Sequence, residues 1–105
     1  MAEYKLVVLS NPVEGREDEY NDWYSNRHIH DVVKVPGFVS AQRFKLRDGS
    51  PRYLAIYDME CDDPQATFAT LLPLLGTDAM PVSDAMDRMN AQMFVVEPIT
   101  GKVIA

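Results

Sequence analysis

Cysteine and histidine are scarce here, with one of the first and two of the second in 105 residues. The lone Cys61 has no partner for an internal disulfide, which suits a reducing, cytoplasmic setting. It also follows a strand end among Asp58, Glu60, Asp62 and Asp63, whose charges would raise a thiol pKa and make it a sluggish nucleophile. His28 and His30 form a His-x-His pair, but on a helix their rings project ~200° apart, so they do not chelate from one face. The acidic run EDEYND lacks the glycine and terminal glutamate of a calcium loop. No metal is therefore expected. Gly-x-Gly-x-x-Gly, Walker and Gly-x-Ser-x-Gly patterns are missing too, and no cofactor is expected. No apolar run approaches the ~18 residues of a membrane span. Positive charge is short: ten basic residues face sixteen acidic ones, a net charge of −6. Such a surface repels phosphates and argues against nucleic acid and anionic membranes as partners.

What remains is an ordinary globular composition, 47 % hydrophobic and 25 % charged, at the length of one domain spanning 1–105. The opening MAEYKLVVLS reads as a first strand (4–10) and not as a signal peptide. Asn11-Pro12 marks a turn. A long helix is expected at about 15–35, with Glu17, Asp18 and Glu19 at the positive end of its dipole, Lys34 near the far end and Pro36-Gly37 as its stop. FVSAQRFKLR (38–47) and RYLAIYDME (52–60) read as a hairpin turning at Asp48-Gly49. Asp62-Asp63-Pro64 opens a second helix that runs toward Gly76 and is bent or ended by Pro73. A further helical piece at roughly 82–90 leads to a last strand at about 92–99. The order β-α-β-β-α-β predicts an α+β, ferredoxin-like domain, a four-stranded antiparallel sheet with both helices on one face. Several strands are apolar on both sides: Val7 and Leu9 alternate with Leu6 and Val8, Leu54 and Ile56 with Ala55 and Tyr57. Helices cover only one side, so a second copy is expected on the other, in a homodimer joined through the sheets.

The first helix carries the chemistry. At ~100° per residue with Glu17 at zero, Tyr20, Tyr24, Arg27, His28, Asp31 and Val35 share one arc of about 100°, and Trp23 lies at its edge, at ~240° against ~20° for His28. A stripe built only for packing would be Leu, Val and Ala. This one holds an ionisable trio whose burial is costly unless its members pair or meet a guest. Tyr24–His28 and Arg27–Asp31 are spaced i,i+4, and His28–Asp31 i,i+3. A histidine beside a carboxylate and a phenol makes a proton-transfer set. Asp31 favours the charged imidazole and an apolar pocket opposes it; spacing leaves that balance open. Arg27–Asp31 reads equally well as a plain helix salt bridge. Met86, Met89 and Met93, at i, i+3 and i+7, suit either core packing or a flat aromatic guest.

The stretch Trp23-Tyr24-x-x-x-His28-Ile29-x-Asp31-Val32-x-x-Val35-Pro36-Gly37-Phe38, between a strand and a hairpin, resembles EthD-type members of the dimeric α+β barrel superfamily. The order of elements matches over nearly the whole chain. The resemblance implies a cleft between sheet and helices in each subunit, and two subunits joined through their sheets. It matches His28 with the recurrent histidine of the first helix, and Trp23 or Tyr24 with the aromatic position before it. Relatives of this kind include cyclases, cofactor-free monooxygenases, muconolactone isomerase-like enzymes and haem-degrading enzymes. The Asn/Trp/His arrangement of the haem degraders is not seen here, and haem is not carried over.

The resulting expectation is a cofactor-independent enzyme of isomerase, cyclase or lyase type, acting on an aromatic, polyketide-like or lactone-like molecule. His28 moves a proton, Asp31 orients it, and Tyr24 donates a hydrogen bond to a developing oxyanion. Arg27 holds an anionic substituent, and Trp23, Tyr20, Tyr57, Met86 and Met89 line the substrate site. Phe44 and Gln42 are further lining candidates. The alternatives are a cofactor-free monooxygenase and a dimer that only binds a small apolar ligand.

Overall fold

The structure, a computed structural model, describes residues 2–105. The elements run β1 (Ala2–Ser10), α1 (Glu17–Trp23), a π-helical turn (Tyr24–His28), α2 (Ile29–Val32), β2 (Phe38–Lys45), β3 (Tyr53–Cys61), α3 (Pro64–Leu71) and β4 (Gln92–Val96). Short 3-10 turns stand at Leu72–Leu74 and Arg88–Asn90. The sheet order is β2-β3-β1-β4 with every neighbour antiparallel, which is the ferredoxin-like α+β arrangement. Among the described residues no helix is long and apolar enough to cross a membrane.

Strand register sorts the side chains onto two faces. Leu6 pairs with Tyr57 and Val95, and Val8 with Ala55 and Met93. These residues lie under the helices, and Leu6, Val8, Ala55, Tyr57 and Met59 are buried there. Ala41 and Arg43 share this face through their pairing with Tyr57 and Ala55. The alternate positions Val7, Leu9, Leu54 and Ile56 point the other way, together with Gln42, Phe44, Phe94 and Val96. Among the described residues no element covers that second face, and Phe94 is 48 % exposed on it. Gln42 and Phe44 therefore lie on the side away from the helices and line no cleft between the layers. The chain leaves β4 through an exposed segment, 97–105, that carries Ile99, Val103 and Ile104.

Local chemistry accounts for the element ends. Gly15 takes φ +81° ahead of the first helix, and Asp63 caps α3 by accepting from the Ala66 amide at 3.1 Å, with Pro64 following. The expected helix at 82–90 does not form. Val13 N–H donates to the Ala85 carbonyl (2.6 Å) and Asp87 N–H to the Asn11 carbonyl (2.9 Å), so the segment lies extended along the loop after β1. Side chains favour this course: the Ser83 hydroxyl accepts from the Ala85 amide and Asn90 donates to the Asp87 carboxylate. Such local bonds compete with helical ones. Arg16 donates to Asp84 at 2.7 Å and ties the same segment to the start of α1.

Gly37 joins the first helix to β2 at φ +99°, and its carbonyl accepts from the Glu60 amide. A Cβ here would stand 2.7 Å from Thr67 Cγ2 on α3. Gly37→Ala combines a left-handed backbone with that overlap and should lower stability by about 2 kcal/mol. Urea denaturation checks this, and an unchanged midpoint would contradict it.

Candidate active site

A cavity of about 350 Å³ opens between the sheet and the helices. Its floor is Leu6 and Val8 of β1, Tyr57 of β3 and Met93 of β4. Trp23, Tyr24, His28 and Val32 supply one wall, and Leu71, Leu75, Val82, Met86, Arg88 and Ala91 the rest. The volume falls within the range of small-molecule pockets.

The π-helical turn shapes the first wall. Ile29 N–H donates to the Tyr24 carbonyl five residues back, one residue farther than in an α-helix. Residues five apart then become neighbours along the helix surface. The wheel set Trp23 and His28 far apart, yet their rings stack at 4.7 Å between centroids and 28° between planes. Tyr24 meets the same imidazole edge-on at 5.0 Å. Trp23 is pinned from outside, donating from Nε1 to the Pro81 carbonyl at 2.9 Å.

His28 is buried by this packing, and its Nδ1 is enclosed without a hydrogen-bond partner. Nε2 is the ring nitrogen left to meet a molecule in the cavity. Burial pulls the His28 pKa down to about 4, against a smaller opposing pull from the Asp31 charge. The imidazole is therefore neutral at pH 7 and holds a lone pair. The balance that spacing left open is decided by desolvation.

Asp31 does not orient His28. Its Oδ2 accepts from Arg27 Nε at 2.7 Å, closing the i,i+4 salt bridge, and Arg27 also donates to the Asp78 carbonyl. A buried carboxylate is satisfied by that cation, so the pair is held in structural use. Neither Arg27 nor Asp31 lines the cavity. Tyr20 lies beneath the helix, its hydroxyl 2.6 Å from Ser10 Oγ, also away from the cavity. Met86 lines the wall, whereas Met89, in the short 3-10 turn Arg88–Asn90 and not on the expected α-helix, is 92 % exposed.

The phenols form a short chain. Tyr57 donates to the Tyr24 hydroxyl at 3.0 Å, which leaves the Tyr24 proton free to be given onward. Burial raises both phenols, Tyr24 to about 12, so both are protonated donors near neutrality. Behind them sits Arg43, a residue that the sequence pattern did not single out. Its Cζ stands 4.5 Å from the Tyr24 ring centroid, with the Tyr20 and Tyr53 rings at 5.3 and 5.4 Å. The guanidinium also donates to Asn21 and Ser25 and fastens the helix to β2. Arg88 was likewise missed as a wall residue, since no helical face predicted it, whereas Met93 of the methionine stripe does line the cavity.

Comparison with known proteins places the fold. No family model matches the chain, and no curated protein matches it. The haem degrader MhuD of Mycobacterium tuberculosis, solved with two haems in its active site, is similar at TM-score 0.67 and 16 % identity over 95 % of this chain and 99 % of that one. A variant of MhuD with two manganese protoporphyrins per site matches at TM-score 0.64 and 18 % identity, covering 96 % and 98 % of the two chains. An EthD family protein of Bacillus halodurans C-125 matches at 0.58 and 16 %, over 92 % and 99 %. The ferredoxin-like α+β fold is thus shared with these proteins, and the EthD resemblance holds at the level of fold.

The sign of the histidine's linkage follows from its depressed pKa. An unfolded His28 binds a proton near pH 6.5, the buried one only near pH 4. Its contribution is intact above pH 6.5 and is lost as pH falls toward 4, amounting to a few kcal/mol by linkage. Between those values His28→Phe should hold its stability better than the parent chain. Proton NMR of the His28 ring should find its midpoint near pH 4; a midpoint above 6 would refute the burial argument.

Proposed function

We propose that this chain is a cofactor-independent enzyme that moves a proton on an aromatic, polyketide-like or lactone-like molecule held in the cavity, as an isomerase, cyclase or lyase. The observation that carries this reading is a neutral imidazole at the wall, stacked on Trp23 and beside a Tyr24–Tyr57 hydroxyl pair. A lone pair and a hydroxyl donor in one apolar cavity suit removal of a proton next to a carbonyl. His28 takes the C–H proton. The electron pair moves onto the carbonyl oxygen, and Tyr24 donates its hydrogen bond to that oxyanion while Tyr57 donates to Tyr24. The imidazolium then returns its proton to another carbon, or a leaving group departs.

The low proton affinity of His28 narrows the substrate. A weak base removes only an acidic proton, as between two carbonyls. Once the enolate forms, its negative charge stabilises the neighbouring imidazolium and raises the histidine pKa in the complex. Asp31 takes no direct part in this scheme, and Arg27 no longer holds the substrate's anionic group.

Haem does not follow from the two haem-binding neighbours, which are similar in fold alone. An imidazole that ligates iron normally has its other nitrogen oriented by a carboxylate, carbonyl or water. Nδ1 of His28 is buried without a partner, and Asp31 is bonded to Arg27. The donor set does not fit a ligated haem iron.

The bare sheet face supports a homodimer. Val7, Leu9, Leu54 and Ile56 form its centre, and Phe44, Phe94 and Val96 flank them. A contiguous apolar face of this kind marks an association surface. Analytical ultracentrifugation should find a dimer at micromolar concentration and Phe94→Lys should weaken it; a monomeric parent chain would exclude the sheet-to-sheet pairing.

The chemistry is tested with benzoylacetone, whose keto–enol interconversion is followed by absorbance. The parent chain should accelerate it, and His28→Gln should lower the rate about 10²- to 10⁴-fold, the usual contribution of a general base. Quenching of Trp23 by the same compound should persist in the variant. Equal rates for the two chains would remove His28 as the base.

A further inference from the structure

The cavity wall is apolar apart from two phenols, a neutral imidazole and one arginine. Among the described residues Arg88 is the only wall residue that carries a formal charge. It is exposed at the cavity and enters no ion pair among the described residues. Other arginines near the first helix are already engaged, Arg27 by Asp31 and Arg43 by Asn21, Ser25 and tyrosine rings. The adjacent Asp87 carboxylate is taken by Asn90 at 2.7 Å, and Asp87 does not line the cavity. The Asp87 amide is bonded to the Asn11 carbonyl, so the backbone next to Arg88 is anchored to the loop after β1. An arginine with no ion-pair partner among the described residues, beside an apolar hollow on a chain of net charge −6, is a local exception that suits an anion.

We infer that the ligand of this cavity is an aromatic or polyketide-like carboxylate, its ring against Met86, Met93 and Leu75 and its carboxylate on Arg88. This rests on the proposed binding role of the cavity and names the class of molecule it takes. The planar fork of an arginine matches a carboxylate through two parallel N–H donors, which an ammonium does not reproduce. Ring and anion are then held at separate ends, leaving the reacting carbon to face His28 and Tyr24.

Trp23 is the only tryptophan in the chain and lines the cavity, so its fluorescence reports occupancy there. The test titrates 2-naphthoate and its neutral amide, 2-naphthamide, into the parent chain, Arg88→Gln and Arg88→Lys. In the parent chain the carboxylate should bind about tenfold more tightly than the amide, by the strength of a charge-assisted pair. Added salt should weaken the carboxylate alone. Arg88→Gln should abolish the preference with amide binding unchanged, and Arg88→Lys should restore part of it. Equal affinities in the parent chain, or a preference that survives Arg88→Gln, would overturn the inference while the binding cavity stands. Quenching by neither compound would overturn the cavity reading and this inference with it.

Discussion

One backbone hydrogen bond, from the Ile29 amide to the Tyr24 carbonyl, organises the site. By spanning five residues it widens a single turn of the first helix. Trp23 and His28, on different sides of a regular α-helix, are brought ring to ring. π-turns of this kind recur at functional sites because they place side chains that regular geometry keeps apart. Here the consequence is electrostatic. The indole and the Tyr24 phenol take water from the imidazole, and the imidazole gives up its charge as a result.

The ion pairs around the turn sharpen that effect. Asp31, the carboxylate nearest in sequence on the same face, favours the charged imidazole, but burial outweighs that pull. Asp31 is bonded to Arg27, whose positive charge offsets its own. On the other side Arg43 lies among the rings of Tyr20, Tyr24 and Tyr53 and ties α1 to β2. The helix is thereby fixed over the sheet by polar contacts at its rim, while Tyr24, Tyr57 and His28 face a hollow between the layers. Arg27, Asp31 and Arg43 are each engaged, and the cavity keeps one neutral base, one hydroxyl chain and one cation that enters no ion pair among the described residues.

The two sheet faces divide the work. Register sends Leu6, Val8, Tyr57 and Met93 to the cavity and Val7, Leu9, Leu54 and Phe94 to the bare side. A fold of this type hosts several chemistries, so the shared architecture with MhuD and an EthD family protein does not choose among them. The choice lies in the wall residues and in their protonation.

The amino-acid sequence alone determined the order of elements, the α+β class and the face of the first helix that turns inward, because these follow from local periodicity and turn chemistry. Tyr24 and His28 on that face, and Met86 and Tyr57 as lining residues, were legible for the same reason. Tertiary structure decided the rest. The wheel assumed a regular helix, so it separated Trp23 from His28 and paired His28 with Asp31. The methionine stripe assumed a helix at 82–90, but backbone groups of Asn11 and Val13 captured that segment and turned Met89 outward. Arg88 and Arg43 entered only when distant segments met. Which sheet face holds the cavity also depended on register between strands, since both faces are apolar and local pattern does not tell them apart. The charge of His28 was decided last, by desolvation, which belongs to the packed molecule and to no stretch of chain.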